Sequence, residues 1–354
     1  MKKIIVSILL ILCVSLPVSA IESEEKYLSQ IDEMISEYNI DFENLKEYPF
    51  ETLWNSAVKS FKEYFRLPIK SLVTTMSVLL ISAFVNLLHP DKDNQITTII
   101  NLVVTILLFY IVFEGMNEIS GNVSNVLFDV KNFMLTFVPV FAGLSFASGE
   151  FVTSTIYSGF FLASIAAVAN FCVNYVIPSI NLYLTVGIVS NLTTVINLKP
   201  LCKVYSRIIK TAMVSSVSVI CFLLSLQTSI AQGKDNLMLK AGKMVVTSTV
   251  PIIGSSLENA MGSIYASMGV LKGFCGLAGV AVVLSLFMPY IFMLVVNWGG
   301  FQLMIIVSAI LESNLAVEIF ECFKDTTEIL LSICVLFMVL LLFSLTIMIK
   351  STGV

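Results

Sequence analysis

Charge is what this chain has least of. Only 12% of its 354 residues are Asp, Glu, Lys or Arg, and 57% are hydrophobic, whereas a soluble domain carries about 25% charged residues. There is one histidine, His89, and the seven cysteines include no C-x-x-C pair. A zinc site of the usual His and Cys spacing is therefore excluded, and histidine-dependent catalysis has almost nowhere to sit. The phosphate-binding pattern G-x-x-x-x-G-K-[ST] is also missing, so any nucleotide-driven step has to come from a partner. Gly143-Leu144-Ser145 has the shape of an intramembrane serine-protease nucleophile, but that chemistry needs a positioned base, and His89 lies in a charged turn at the end of another segment. No catalytic residue, metal ligand, cofactor or nucleic-acid partner is expected.

What the chain does have is long apolar runs, with a mean hydropathy of +0.93. Segments such as 96–113 and 329–349 are apolar all round at about the 20 residues that span a bilayer. In lipid the backbone must satisfy its own polar groups, which makes helices the default, and the alternating ten-residue pattern of a transmembrane barrel is not seen. The expectation is an all-α polytopic membrane protein of about 8–10 transmembrane or re-entrant helices. Spans are placed near 68–88, 96–113, 133–148, 151–176, 177–198, 211–230, 245–268, 271–288, 290–311 and 329–349. Polar breaks at 114–132, 199–210, 231–243 and 312–328 separate several of them.

Before this membrane domain of 68–354 stand two further units. Residues 1–20 begin with Lys2 and Lys3, continue through an apolar core and end in small residues at Ala20, which reads as a signal peptide; an uncleaved anchor is the alternative. Residues 21–67 form an acidic, amphipathic extracytoplasmic segment, with eleven acids against five bases up to Arg66. Its apolar positions recur at helical spacing, as they do in a helix that lies on lipid or binds a partner. The basic group Lys199, Lys203, Arg207 and Lys210 favours a cytosolic place for 199–210, although Lys234, Lys240 and Lys243 make the next polar stretch basic too.

Two similar segments, around Pro139 and around Pro251, suggest an internal repeat of 96–198 and 208–310 at an offset of 112 residues. In both, small or polar residues and a carboxylate follow the proline: Gly143, Ser148, Gly149 and Glu150 in one, Gly254 and Glu258 in the other. Paired interrupted helices of this kind point to a solute pathway, and a carboxylate beside each break agrees with that. The competing reading places each Glu in a surface loop and lets each Pro kink a helix. Gly269, Gly273, Gly276 and Gly279 form a small-residue seam for close helix packing, the first two in G-x-x-x-G spacing.

Three stretches carry a resemblance: Pro139 to Gly149; Gly233, Asp235 and Lys240 within a basic loop; and Pro251 to Gly254 followed by Lys272 and Gly276. Together they resemble the stage III sporulation protein AE family. Glu150 stands where that resemblance places a second glycine, and Glu312-Ser313 replaces an expected Gln-Pro-like pair. The resemblance implies a multi-pass component of the channel complex between mother cell and forespore, in the mother-cell-derived membrane. Implied partners are other stage III sporulation membrane proteins, a cytosolic secretion-type ATPase and a forespore membrane protein. The function expected is that of a non-enzymatic scaffold or conduit, and the alternative is an autonomous secondary transporter with its site at the two breaks.

Overall fold

The structure, a computed structural model, describes residues 66–88, 95–192, 199–249, 254–311 and 313–350, together with the helical positions Ser29, Asp32, Glu33, Ser36 and Val58. The expected signal peptide and most of the acidic segment lie outside the described residues. The described chain folds as α1 (Arg66–Leu88), α2 (Gln95–Ala147), α3 (Phe151–Ile156), α4 (Leu162–Phe171), α5 (Ile177–Leu192), α6 (Lys199–Thr249), α7 (Gly254–Ile310) and α8 (Asn314–Lys350). There is no strand among the described residues.

Among the described residues, five stretches are long and apolar enough to cross a membrane: Ile106–Ala147, Phe151–Gly187, Val204–Ala241, Met261–Ile310 and Leu315–Ile349. Leu72–Ile81 in α1 is a shorter apolar helix. This fits a multi-pass membrane protein, and several of the expected spans share one continuous helix: 96–113 and 133–148 both lie in α2, and 271–288 and 290–311 both begin in α7. The polar stretches taken as loops are helical because their polarity is periodic. Along α2, Glu114, Asn117, Glu118, Gly121, Asn125, Asp129 and Asn132 are exposed, while Met116, Ser120, Val123, Leu127 and Val130 between them are buried. Residues 199–210 and 231–243 belong to α6 for the same reason, and 314–328 opens α8.

Proline does not interrupt the long helices either. α2 runs through Pro139, which is exposed, and α7 runs through Pro289. Helices in lipid tolerate the lost hydrogen bond where neighbouring groups or local adjustments compensate. Two π-helical turns, Tyr157–Phe161 and Cys172–Val176, join α3 to α4 and α4 to α5. The second ends two residues before Pro178, whose ring would otherwise meet the carbonyl four residues back.

Of the two expected breaks, the described residues contain the first. α2 is interrupted at Ser148–Glu150, after Pro139 and Gly143, both of which sit within the helix. Shifted by 112 residues, that interruption falls inside α7. Gly254 opens α7 and Glu258 lies in its first turns, while Pro251 is outside the described residues.

α7 packs most extensively on α8, and α2, α6, α5 and α1 close around this pair. In lipid, burial of apolar surface gives little drive to associate, so close contact has to supply it. A column of fully buried rings on α2 does this. Phe133 stacks on Phe137 with centroids 5.2 Å apart, and Phe141 follows, tilted, 5.9 Å from Phe137. The glycines of α7 receive them: a Cβ at Gly279 would lie 2.5 Å from Phe137 Cζ, and one at Gly276 would collide with Ile349 of α8. Gly273 meets nothing within 4 Å and Gly269 is half-buried, so the close approach belongs to the second half of the expected seam.

Gly279→Leu should therefore destabilise the protein by about 1–3 kcal/mol through overpacking against Phe137. Gly273→Ala should be neutral or gain up to about 1 kcal/mol from helix propensity. Thermal unfolding in detergent checks the contrast, and equal effects at the two positions would contradict this packing.

Candidate functional site: a charged helix junction

α2 ends in a glycine turn. Gly149 has φ +90°. Its N–H donates to Phe146 O at 3.0 Å, and the Glu150 N–H donates to Ser145 O at 2.9 Å. This pair of bonds satisfies the last carbonyls of a helix and turns the chain. A side chain at 149 is opposed twice: the left-handed backbone disfavours it, and its Cβ would lie 2.8 Å from Leu239 Cδ2 of α6. Ser148 Oγ donates to the Leu144 and Ser145 carbonyls, both at 3.0 Å, which ties the turn to the end of α2.

α3 begins at the next residue, with first-turn N–H groups that have no partner inside the helix. Asp235 of α6 supplies one from across the bundle. Its Oδ1 accepts the Val152 N–H at 2.7 Å, and its Oδ2 accepts the Thr153 N–H at 3.0 Å and the Thr153 hydroxyl at 2.7 Å. Capping normally falls to the residue just before the helix. Here that residue is Glu150, whose side chain is engaged elsewhere.

The Glu150 carboxylate reaches α7, where Oε2 accepts from Lys272 Nζ at 2.6 Å. The Lys272 side chain is 0% exposed and that of Glu150 10%. The Phe141 ring centroid lies 5.5 Å from the ammonium, close enough for its π face to attract the cation. Two carboxylates and one ammonium thus surround the N-terminus of α3, whose dipole is worth about half a positive charge. A single junction fastens α2, α3, α6 and α7.

Of the residues expected at a pathway, Ser148, Gly149 and Glu150 build this junction. Pro139 and Gly143 lie outside it, on the body of α2. Gly233, Asp235 and Lys240 occupy α6 rather than a loop, and only Asp235 of the three turns inward, Gly233 and Lys240 being exposed. Lys272 was not among the expected site residues, although it is the one charged residue from 259 to 311, which is itself a signal. A lone charge in so apolar a run requires an opposite one nearby.

The far end of the bundle carries a second, more open polar group. Lys210 of α6 pairs with Glu328 of α8 at 2.6 Å, and Tyr183 Oη lies 3.5 Å from Asp325 Oδ2. Tyr183 stacks on Tyr205 at 6.3 Å. Among the described residues, no group of three or more His, Cys, Asp and Glu is placed to hold a metal ion.

The sequence profile of the family described as stage III sporulation protein AE matches residues 29–352, a span that contains the whole junction. Among curated proteins, stage III sporulation protein AE of Bacillus subtilis (strain 168) is 21% identical over 195 residues, which are 55% of this chain and 49% of that protein. The chain thus spans about half the length of the curated relative it matches. No solved structure matches.

Lys272→Met should cost about 3–5 kcal/mol, because it leaves the Glu150 carboxylate buried without its counter-charge. Adding Glu150→Gln should recover most of that loss. Asp235→Ala should cost about 1–3 kcal/mol by leaving α3 donors unsatisfied. Thermal unfolding of the purified variants reads both, and a Lys272→Met protein as stable as wild type would show that the pair holds nothing.

Proposed function

This chain belongs to the family of stage III sporulation protein AE, and from that premise we propose that it is a multi-pass component of the channel or secretion-like complex between mother cell and forespore. It acts there as a non-enzymatic scaffold after engulfment, in the mother-cell-derived membrane. Its partners in this reading are other stage III sporulation membrane proteins, a cytosolic secretion-type ATPase and a forespore membrane protein. The chain lacks a phosphate-binding pattern of its own, so nucleotide-driven work falls to the ATPase.

The observation that carries the scaffold reading is the closed state of the junction. A transporter binds its solute and coupling ion through polar groups offered to a cavity at broken helices. Here Glu150 faces Lys272 and Asp235 is engaged by α3, so both carboxylates bind helix to helix. Fixing long helices against one another is what a scaffold for other membrane proteins needs.

Deletion of the gene in the host organism should arrest sporulation after engulfment while vegetative growth stays normal, scored by microscopy and spore counts. Normal spores with a growth or uptake defect, or solute uptake by the purified protein alone in liposomes, would overturn the scaffold reading in favour of a transporter.

A further inference from the structure

Among the five apolar stretches, the one on α6 stands apart. Only 22% of its most apolar window is buried in the bundle, against 44–50% in the other four. Its outward face carries Val214, Val219, Phe222, Leu226 and Ile230, all at least 46% exposed. Residues 211–233 contain no charge. Basic residues close off both ends: Lys199, Lys203, Arg207 and Lys210 on one side, Lys234, Lys240 and Lys243 on the other. Lys210 and Lys234 are 24 residues apart, about 36 Å along a helix, which lies between the ~30 Å hydrocarbon core and the ~40–45 Å bilayer with its headgroups.

Those of these bases whose side chains are described have little to pair with among the described residues. Lys210 meets Glu328. Arg207, Lys234 and Lys240 are exposed and make no ion pair among the described residues. The one acid of α6, Asp235, is turned inward to α3. Long basic side chains at the ends of an apolar helix extend toward the headgroup layer, where anionic phosphates answer them.

We propose that α6 is the lipid-facing wall of the bundle and that its two basic ends bind the phosphates of anionic phospholipids in the two leaflets. Residues 211–233 then lie in hydrocarbon. Asp235 follows Lys234 directly, so the Glu150–Lys272–Asp235 junction sits at a headgroup layer rather than at the bilayer midplane. This assignment is independent of the sporulation role, since it concerns the bilayer and not the partners.

The test uses the full chain in phosphatidylcholine vesicles with and without phosphatidylglycerol. Wild type should unfold several degrees higher with phosphatidylglycerol, and about 1 M salt, where the Debye length is about 3 Å, should erase the difference. Arg207→Gln and the pair Lys234→Gln with Lys240→Gln should each reduce the shift, while matching wild type in phosphatidylcholine alone. Equal unfolding of wild type in the two lipids, or a shift that the variants keep, would overturn the proposal. So would the same stabilisation by inorganic phosphate in detergent, which would indicate a soluble-anion site. Depth gives a second reading in a background where Trp54 and Trp298 are replaced by Phe. Phe222→Trp should be quenched several-fold more than Met238→Trp by lipids brominated near the acyl-chain end, and the reverse order would overturn the assigned depth.

Discussion

A fully buried ammonium in an apolar bundle has to be met by an opposite charge, and Lys272 is met by Glu150. An uncompensated charge at that place would cost several kcal/mol, so the chain around each partner is held where the pair needs it. Glu150 can reach α7 only because the glycine turn at 149 ends α2 there. The N-terminus of α3 is then left without its local cap, and Asp235 is drawn in from α6. One charge requirement therefore positions four helices, and no polar group named in it is left open to a solute.

The same requirement bears on helix register. α2, α6 and α7 have 53, 51 and 57 residues, and long apolar surfaces offer many nearly equivalent ways to slide. Moving α7 by one turn, about 5.4 Å, would carry Lys272 away from Glu150. It would also carry Gly276 and Gly279 away from the side chains seated against them. The ion pair and the glycine seam stand one and two turns apart on α7, so they enforce a single alignment together. That rigidity suits a protein whose proposed work is to hold others in place.

Much of this was legible in residues alone. Membrane class and helicity followed from apolar runs too long for loops, and the turn at Gly149 and Glu150 stood out as a carboxylate beside small residues in a hydrophobic setting. Asp235 is legible as a polar residue, but its place on a helix rather than in a loop is not. The number of helices is not legible from polar content: Glu114 to Asn132 alternates faces at helical spacing, which a count of charges does not see. Pro139 lies within its helix, because proline breaks helices more readily in water than in lipid. Lys272 is marked by its isolation over 259–311, which calls for a counter-charge without saying where it lies. Its partner, 122 residues away, is a tertiary fact that no local pattern contains.

The most direct test of this account is amide hydrogen exchange of the intact protein in lipid nanodiscs, followed by mass spectrometry over residues 146–156. If Asp235 and Glu150 hold the junction as described, the Val152 and Thr153 amides will be protected as strongly as the buried centre of α2 around Phe137. Exchange at the rate of an open turn would mean that the first turn of α3 is not capped from α6, and the central claim would fail.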